Sequence, residues 1–285
     1  MPELPEVETI RRDLTEKLVG RKIKKIEVVD KKISQNGKLA YFLSGKKIFS
    51  INRVGKLLIF DIGSDNFLLI HLRMTGQLIY TADGKMTAGG HSFGGDEFKD
   101  GLPNKHTRVW MEFSGGEKLF FNDVRRFGLV KVVSLKELGD IKEEYGIEPL
   151  LAGFTVDNLK KAFSKLRISI KAALLDQKKV AGIGNIYADE VLFAAKILPW
   201  RVASSLSDDE LKLVHREAER IIAKAIEYRG TTFSDYLDAN GKKGNFTAFL
   251  QVYGRNGEKC TKCGGKISKK RVAGRGTHFC LSCQK

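Results

Sequence analysis

From residue 23 to 133 the apolar positions fall in short runs rich in β-branched and aromatic residues and separated by turns. IKKIEVV (23–29), KKIFSINRVG (46–55), KLLIFDI (56–62), FLLIHLRM (67–74), QLIY (77–80), RVWMEF (108–113), KLFFND (118–123) and GLVKVV (128–133) all read as strands. One helix precedes them. Val7, Ile10, Leu14 and Leu18 share a stripe, Pro5 suits the first turn, Glu6 and Glu8 favour the positive end of the helix dipole, and Gly20 is placed to end the helix. After residue 154 the period becomes helical in TVDNLKKAFSKL, ISIKAALLDQ, NIYADEVLFAAKI and LSDDELKLVHREAERIIAKAIEYRG. Ser207 and Glu210 form a capping box for the last of these, and Gly230 its stop.

Three stretches carry no period. Residues 81–101 (TADGKMTAGGHSFGGDEFKDG) are glycine-rich and read as a long mobile loop, 136–154 as a connecting segment, and the residues after Gly230 as another loop. The fold class expected is α+β and multidomain. Its parts are a β-domain over 1–135, a linker over 136–152, a helical domain over 153–245 and a short cysteine module over 246–285.

At 285 residues and 42% hydrophobic content, sizeable cores are available. The balance of 50 Lys and Arg against 34 Asp and Glu, a formal +16, suits a polyanionic partner, either nucleic acid or an anionic membrane. No apolar run approaches the roughly 18 to 20 residues that span a bilayer, and the acidic start is unlike a signal peptide, so a cytoplasmic location and nucleic acid are expected. The excess is uneven. Residues 241–285 hold eleven Lys or Arg against one acid, Glu258, which puts +10 of the +16 in the tail.

All four cysteines lie in that tail, as Cys260-x2-Cys263-x16-Cys280-x2-Cys283. Two close pairs across a spacer that suits a two-stranded ribbon can close a tetrahedral site on one Zn²⁺, and in a cytosolic chain disulfides are the weaker alternative. Four protein ligands leave no position for water, so the metal's expected role is structural. Between the pairs Arg275 is flanked by glycines that would let the backbone approach a phosphate. Gly182-Ile183-Gly184 before Asn185 joins two helical stretches; it reads equally as a simple turn or as an anion nest at a helix N-terminus.

One feature of the opening MPELPEVET is left over, because Pro2 and Glu3 precede the helix. Together MPELPEVET, VGK, HLRMTG, DVRRFG, GIGNIYADE and GRGTHFCLSCQK, in order along nearly the whole chain, resemble bacterial formamidopyrimidine-DNA glycosylases, the repair enzymes for oxidised purines. The resemblance implies an N-terminal β-sandwich with flanking helices, a helix/two-turn/helix domain, a C-terminal zinc-ribbon finger, and oxidised duplex DNA as partner of a monomeric enzyme. It implies glycosylase and abasic-site lyase chemistry. With Met1 removed, Pro2 would present a secondary amine, whose α-amino pKa of roughly 8 leaves it substantially neutral near cellular pH. By the same resemblance Glu3 is the proton donor, Lys56 contacts DNA beside the lesion and assists catalysis, and Arg275 belongs both to the catalytic set and to the phosphate contacts. Met74, Arg125 and Phe127 fill the gap left by a flipped nucleotide. Asn185, with Lys171 and Arg275, holds the DNA backbone. The loop around 231–247, with Thr231, Thr232 and Tyr236 near its start, occupies the place that covers the flipped base.

Two departures stand out: residues 83–101 are long and glycine-rich for the family, which leaves open a changed lesion preference or an extra contact, and Val124 stands where proline is common. Endonuclease VIII-like glycosylases of oxidised pyrimidines are the near rival, but more often begin PEGPE where this chain has Leu4. A non-catalytic DNA-binding zinc protein would be expected to lose Pro2, Glu3 or Lys56, and all three are present.

Overall fold

The computed structural model describes residues 1–34, 39–90, 101–231 and 245–285. Contacts group into two units, Met1–Lys142 with Arg229–Asn245, and Glu143–Tyr228 with Phe246–Lys285. The chain returns to the first unit at Arg229.

The first unit opens with α1 (Leu4–Leu18), whose buried face carries Val7, Ile10, Leu14 and Leu18 as the stripe predicts. Two antiparallel sheets follow. One runs β1 (Ile23–Val28), β7 (Thr107–Phe113), β8 (Lys118–Asp123), β5 (Gly76–Ala82) and β6 (Lys85–Gly90) in spatial order. The other runs β2 (Ser50–Val54), β3 (Leu57–Asp61), β4 (Asn66–His71) and β9 (Leu129–Ser134). Alternate residues of both sheets, among them Leu58, Phe60, Leu68, Ile70, Val109, Met111, Leu119 and Phe121, close one core with the α1 stripe. This is the sandwich arrangement that period-two patterning permits.

Three short elements depart from the sequence reading. Residues 85–90 do not belong to a loop: they pair with β5 from Ala82↔Lys85 to Gln77↔Gly90 as the edge strand β6. A Cβ at Gly90, whose φ is +122°, would lie 2.4 Å from the Gly76 carbonyl oxygen, so the glycine permits the close strand approach. The rest of the expected loop, 91–100, lies outside the described residues. The connecting segment contains α3 (Leu135–Glu143), started by Ser134 and Glu137 in a reciprocal cap: Ser134 N–H to Glu137 Oε2 at 2.8 Å, Glu137 N–H to Ser134 Oγ at 3.3 Å. A single-turn helix, α2 (Leu39–Leu43), carries no periodic signal of its own.

In the second unit α4 (Val156–Phe163), α5 (Ile170–Leu175), α6 (Asn185–Ala194) and α7 (Asp208–Glu227) follow the predicted order. The Ser207–Glu210 capping box is formed at 2.8 and 3.3 Å. Beyond them β10 (Ser268–Val272) and β11 (Arg275–Phe279) make a hairpin whose two-residue turn, Ala273 and Gly274, has positive φ at both positions, as the twist of such hairpins requires. Among the described residues no helix is long and apolar enough to cross a membrane.

Candidate DNA-processing site

In the first unit Pro2 is buried, Glu3 is 2% exposed and Lys56 4% exposed. Glu3 is the N-cap of α1, and its N–H donates to Glu6 Oε2 at 2.9 Å. The terminal amine, carried here by Met1, has its pKa lowered. Burial is the largest cause; Glu3 and Glu6 oppose it, and the Lys56 ammonium adds to the lowering. Glu3 and Lys56 thus both act electrostatically on the chain's terminal amine, with opposite sign.

Lys56 follows Gly55 in the β2–β3 turn, and that turn is tied to α1. Arg53 donates to the Gly55 carbonyl at 3.0 Å and to Glu8 Oε2 at 3.1 Å. Glu8 also accepts from Arg11 and Arg12. Burial alone would raise the Glu8 pKa, but these hydrogen bonds and the Arg53 charge outweigh it and hold the carboxyl at about 2.

Thr231, the first residue of the segment expected to cover the flipped base, binds Glu6 through its N–H and hydroxyl. Thr232 and Tyr236 lie outside the described residues. Glu6 and Glu8 entered the sequence reading only as helix-dipole carboxylates. Glu3, Arg11 and Arg12 are local partners, but Thr231 for Glu6 and Arg53 for Glu8 are remote in the chain, and no local pattern announces those two contacts.

The candidate gap-filling side chains are brought together. Met74, 37% exposed, and Phe127, 53% exposed, are large apolar groups left in solvent, and Arg125 bridges them. Its Nη1 lies 3.4 Å from Met74 Sδ and its guanidinium 4.7 Å from the Phe127 ring centroid. His71 supports the Met74 turn by accepting the Arg73 N–H at Nδ1, 3.0 Å away. Burial, then the charges of Arg73 and Lys56, push its pKa down to about 3, so the imidazole stays neutral and keeps that acceptor.

In the second unit Gly182 and Ile183 are held by the Gln177 amide, which accepts the Gly182 N–H and donates to the Ile183 carbonyl, both at 2.9 Å. Asn185 begins α6, and its Nδ2 donates to the Gly276 carbonyl at 3.1 Å, which fixes the strand next to exposed Arg275. Lys171 requires a correction. Its side chain is fully buried, and its ammonium donates to Asp189 Oδ1 at 2.6 Å and Thr277 Oγ1 at 2.7 Å. A buried, paired ammonium is not a surface phosphate ligand. Instead it joins α5, α6 and the hairpin, and Asp189 completes the joint by accepting the His278 N–H at 2.8 Å.

The four cysteine sulfurs lie within 4.8 Å of one another. Cys260–Cys283 and Cys263–Cys280 Sγ separations are 3.8 and 3.5 Å, too long for disulfides and close to the roughly 3.8 Å edge of a tetrahedron with ~2.3 Å Zn–S bonds. The residues fit one zinc ion, held structurally by Cys260, Cys263, Cys280 and Cys283. Apart from Cys260 and Cys280 the module's buried cluster is Val252, Ile267 and α6's Phe193, too small a core to order a ribbon without metal. A basic ribbon braced by thiolates is a nucleic-acid-binding zinc finger in class.

Comparison with known proteins agrees along the length of the chain. Residues 1–130 match the formamidopyrimidine-DNA glycosylase N-terminal domain, 145–236 the H2TH domain of the same enzymes, and 257–285 the zinc finger found in FPG and IleRS. The formamidopyrimidine-DNA glycosylase of Pelotomaculum thermopropionicum is 42% identical over 290 residues, covering 100% of this chain and 99% of the relative. That of Carboxydothermus hydrogenoformans is 42% identical over the whole of both chains. A solved complex of Lactococcus lactis Fpg with DNA containing an abasic site superposes with a TM-score of 0.87 at 38% identity, over 99% of each chain. The chain belongs to the formamidopyrimidine-DNA glycosylase family, and is thus a DNA glycosylase of base-excision repair, in a family that typically has lyase activity as well.

Proposed function

We propose that the chain excises oxidised purines, 8-oxoguanine and formamidopyrimidines, from duplex DNA through the amine of Pro2, working as a monomer in the cytoplasm where DNA binding places it on the nucleoid. The observation that carries this reading is the burial of Pro2 at the head of α1 in the same unit as two buried charged groups, Glu3 and Lys56. Solved complexes of Lactococcus lactis Fpg contain Fapy-dG DNA, bound by a mutant, and abasic-site DNA, which supports the substrate class.

With Met1 removed, the Pro2 nitrogen lone pair attacks C1′ of the flipped nucleotide. The bond from C1′ to the base nitrogen breaks, and the base leaves with its electrons and the proton released from the Pro2 nitrogen; Glu3 then protonates the sugar ring oxygen as the C1′–O bond opens. The resulting iminium ion acidifies the C2′ proton. Loss of that proton expels the 3′ phosphate, and a second elimination expels the 5′ phosphate. Lys56 positions the DNA beside the lesion, Met74, Arg125 and Phe127 occupy the gap, and Asn185 and Arg275 hold phosphates.

Incubating the protein, processed to Pro2, with an 8-oxoguanine·cytosine duplex and borohydride should give a covalent protein–DNA adduct. A thymine glycol duplex should give less. Absence of an adduct with the purine lesion, or preference for the pyrimidine lesion, would overturn the reading.

A further inference from the structure

Met74 and the pair Arg125 and Phe127 sit on two turns that are far apart in sequence and share one buried joint. Asp123 is fully buried. Its Oδ1 accepts the Thr75 hydroxyl, and the Arg125 N–H at 3.2 Å, and its Oδ2 accepts the Gly128 N–H at 2.7 Å. The Thr75 hydroxyl oxygen in turn accepts the Arg125 N–H at 3.1 Å. Arg108 locks the Asp123 carbonyl from behind at 2.8 Å.

The backbone around the joint leaves little room for other arrangements. A Cβ at Gly128 would lie 2.4 Å from the Phe121 ring and 3.0 Å from Asp123 Oδ2, and one at Gly76 would lie 2.4 Å from the Leu72 carbonyl oxygen. Arg73 and Arg126, each beside a gap-filling residue, have φ of +51° and +59°, conformations that persist when surrounding contacts hold them.

We propose that Thr75 and Asp123 are positioning residues that make the two turns one preformed wedge. The assignment rests on the reading above that Met74, Arg125 and Phe127 fill the gap in the duplex. Three side chains entering a base stack from independent turns would each lose freedom on insertion. Joined through a charge-assisted hydrogen bond, they enter with that ordering already done. Thr75 is suited to the joint because its hydroxyl donates to the carboxylate while accepting from the opposite turn's backbone, so one atom ties both turns.

The test separates nucleotide extrusion from amine chemistry. Extrusion is followed by stopped-flow fluorescence of 2-aminopurine next to 8-oxoguanine in a duplex, and chemistry by borohydride trapping on a duplex with a preformed abasic site. Thr75→Val should slow the fluorescence change about tenfold or more, the worth of a charged hydrogen bond, while trapping changes by less than about threefold. Thr75→Ser should restore extrusion, and Asp123→Asn should share the Thr75→Val defect. Extrusion at the unaltered rate in both defective variants, or equal loss in both assays, would overturn the assignment. Failure of the unaltered protein to trap on abasic DNA would instead overturn the amine mechanism beneath it.

Discussion

Glu6 and Thr231, 225 positions apart, are joined by two hydrogen bonds to one carboxylate oxygen: Thr231 N–H to Oε1 at 2.7 Å and Thr231 Oγ to Oε1 at 3.1 Å. The other oxygen holds the Glu3 N–H. One side chain thus fixes both the start of α1 and the root of the segment that follows Gly230.

Gly230 allows this contact. Its φ is +83°, and a Cβ there would lie 2.6 Å from Glu6 Oε1. Gly230→Ala should cost about 1–3 kcal/mol through strain and the displaced carboxylate, lowering Tm by several degrees. Turnover of lesion DNA should fall as well. Thermal melting and single-turnover cleavage check both effects, and unchanged values in the two would contradict the role given to Glu6.

Glu8 supplies a pH dependence. Its folded pKa, about 2, lies below the ordinary 4.5, so its contribution to stability is complete above about pH 4.5 and is lost as pH falls from there toward 2. Allowing for solvent screening at its rim, the loss is roughly 1–2 kcal/mol. Denaturant melts at pH 6 and pH 3 should show that difference shrinking in Glu8→Gln, in which the titrating group is gone.

Removing zinc by chelation, or changing Cys280→Ser, should abolish specific DNA binding of the full chain while the first unit keeps its β-sheet signal, since the sandwich core contains no residue of the ribbon. Full DNA affinity after verified metal loss would contradict the structural role of the ion.

Arg275 is exposed just past the hairpin turn, and its neighbour Gly276 is held by Asn185. Arg275→Ala should weaken binding to damaged and undamaged duplexes alike and reduce the slope of log affinity against log salt by about one, as loss of one phosphate contact does. A loss confined to lesion DNA would argue for direct lesion recognition.

Retained Met1, or an uncleaved N-terminal tag, makes the Pro2 nitrogen a tertiary amide whose lone pair is delocalised into the carbonyl. The blocked protein should bind lesion DNA but neither cleave it nor form a borohydride adduct, and exposing Pro2 should restore both. Glu3→Gln should keep the amine and slow base loss. An adduct formed by the blocked protein at the normal rate would move the nucleophile to another amine, Lys56 first.

Elements whose stability comes from their own pattern were legible in the sequence. Strand runs such as KLLIFDI, the α1 stripe, the Ser207–Glu210 cap and the paired cysteines carry spacing that encodes geometry within a few residues. The Ser134–Glu137 cap was legible by the same rule and marks α3, which reading 136–154 as a connector overlooked. Tertiary structure alone decided the rest. KMTAGG has too little strand propensity to be read as a strand, and it becomes β6 because β5 offers it a ladder. Lys171 in isolation is a cation for any phosphate; packing buries it against Asp189, 18 positions away, and Thr277, 106 away. The Glu6–Thr231 and Thr75–Asp123 joints, across 225 and 48 positions, depend in the same way on chain segments that meet only after folding. A hydrogen bond between remote side chains leaves no periodic trace in sequence, because its partners are chosen by the backbone path between them and not by the residues beside them.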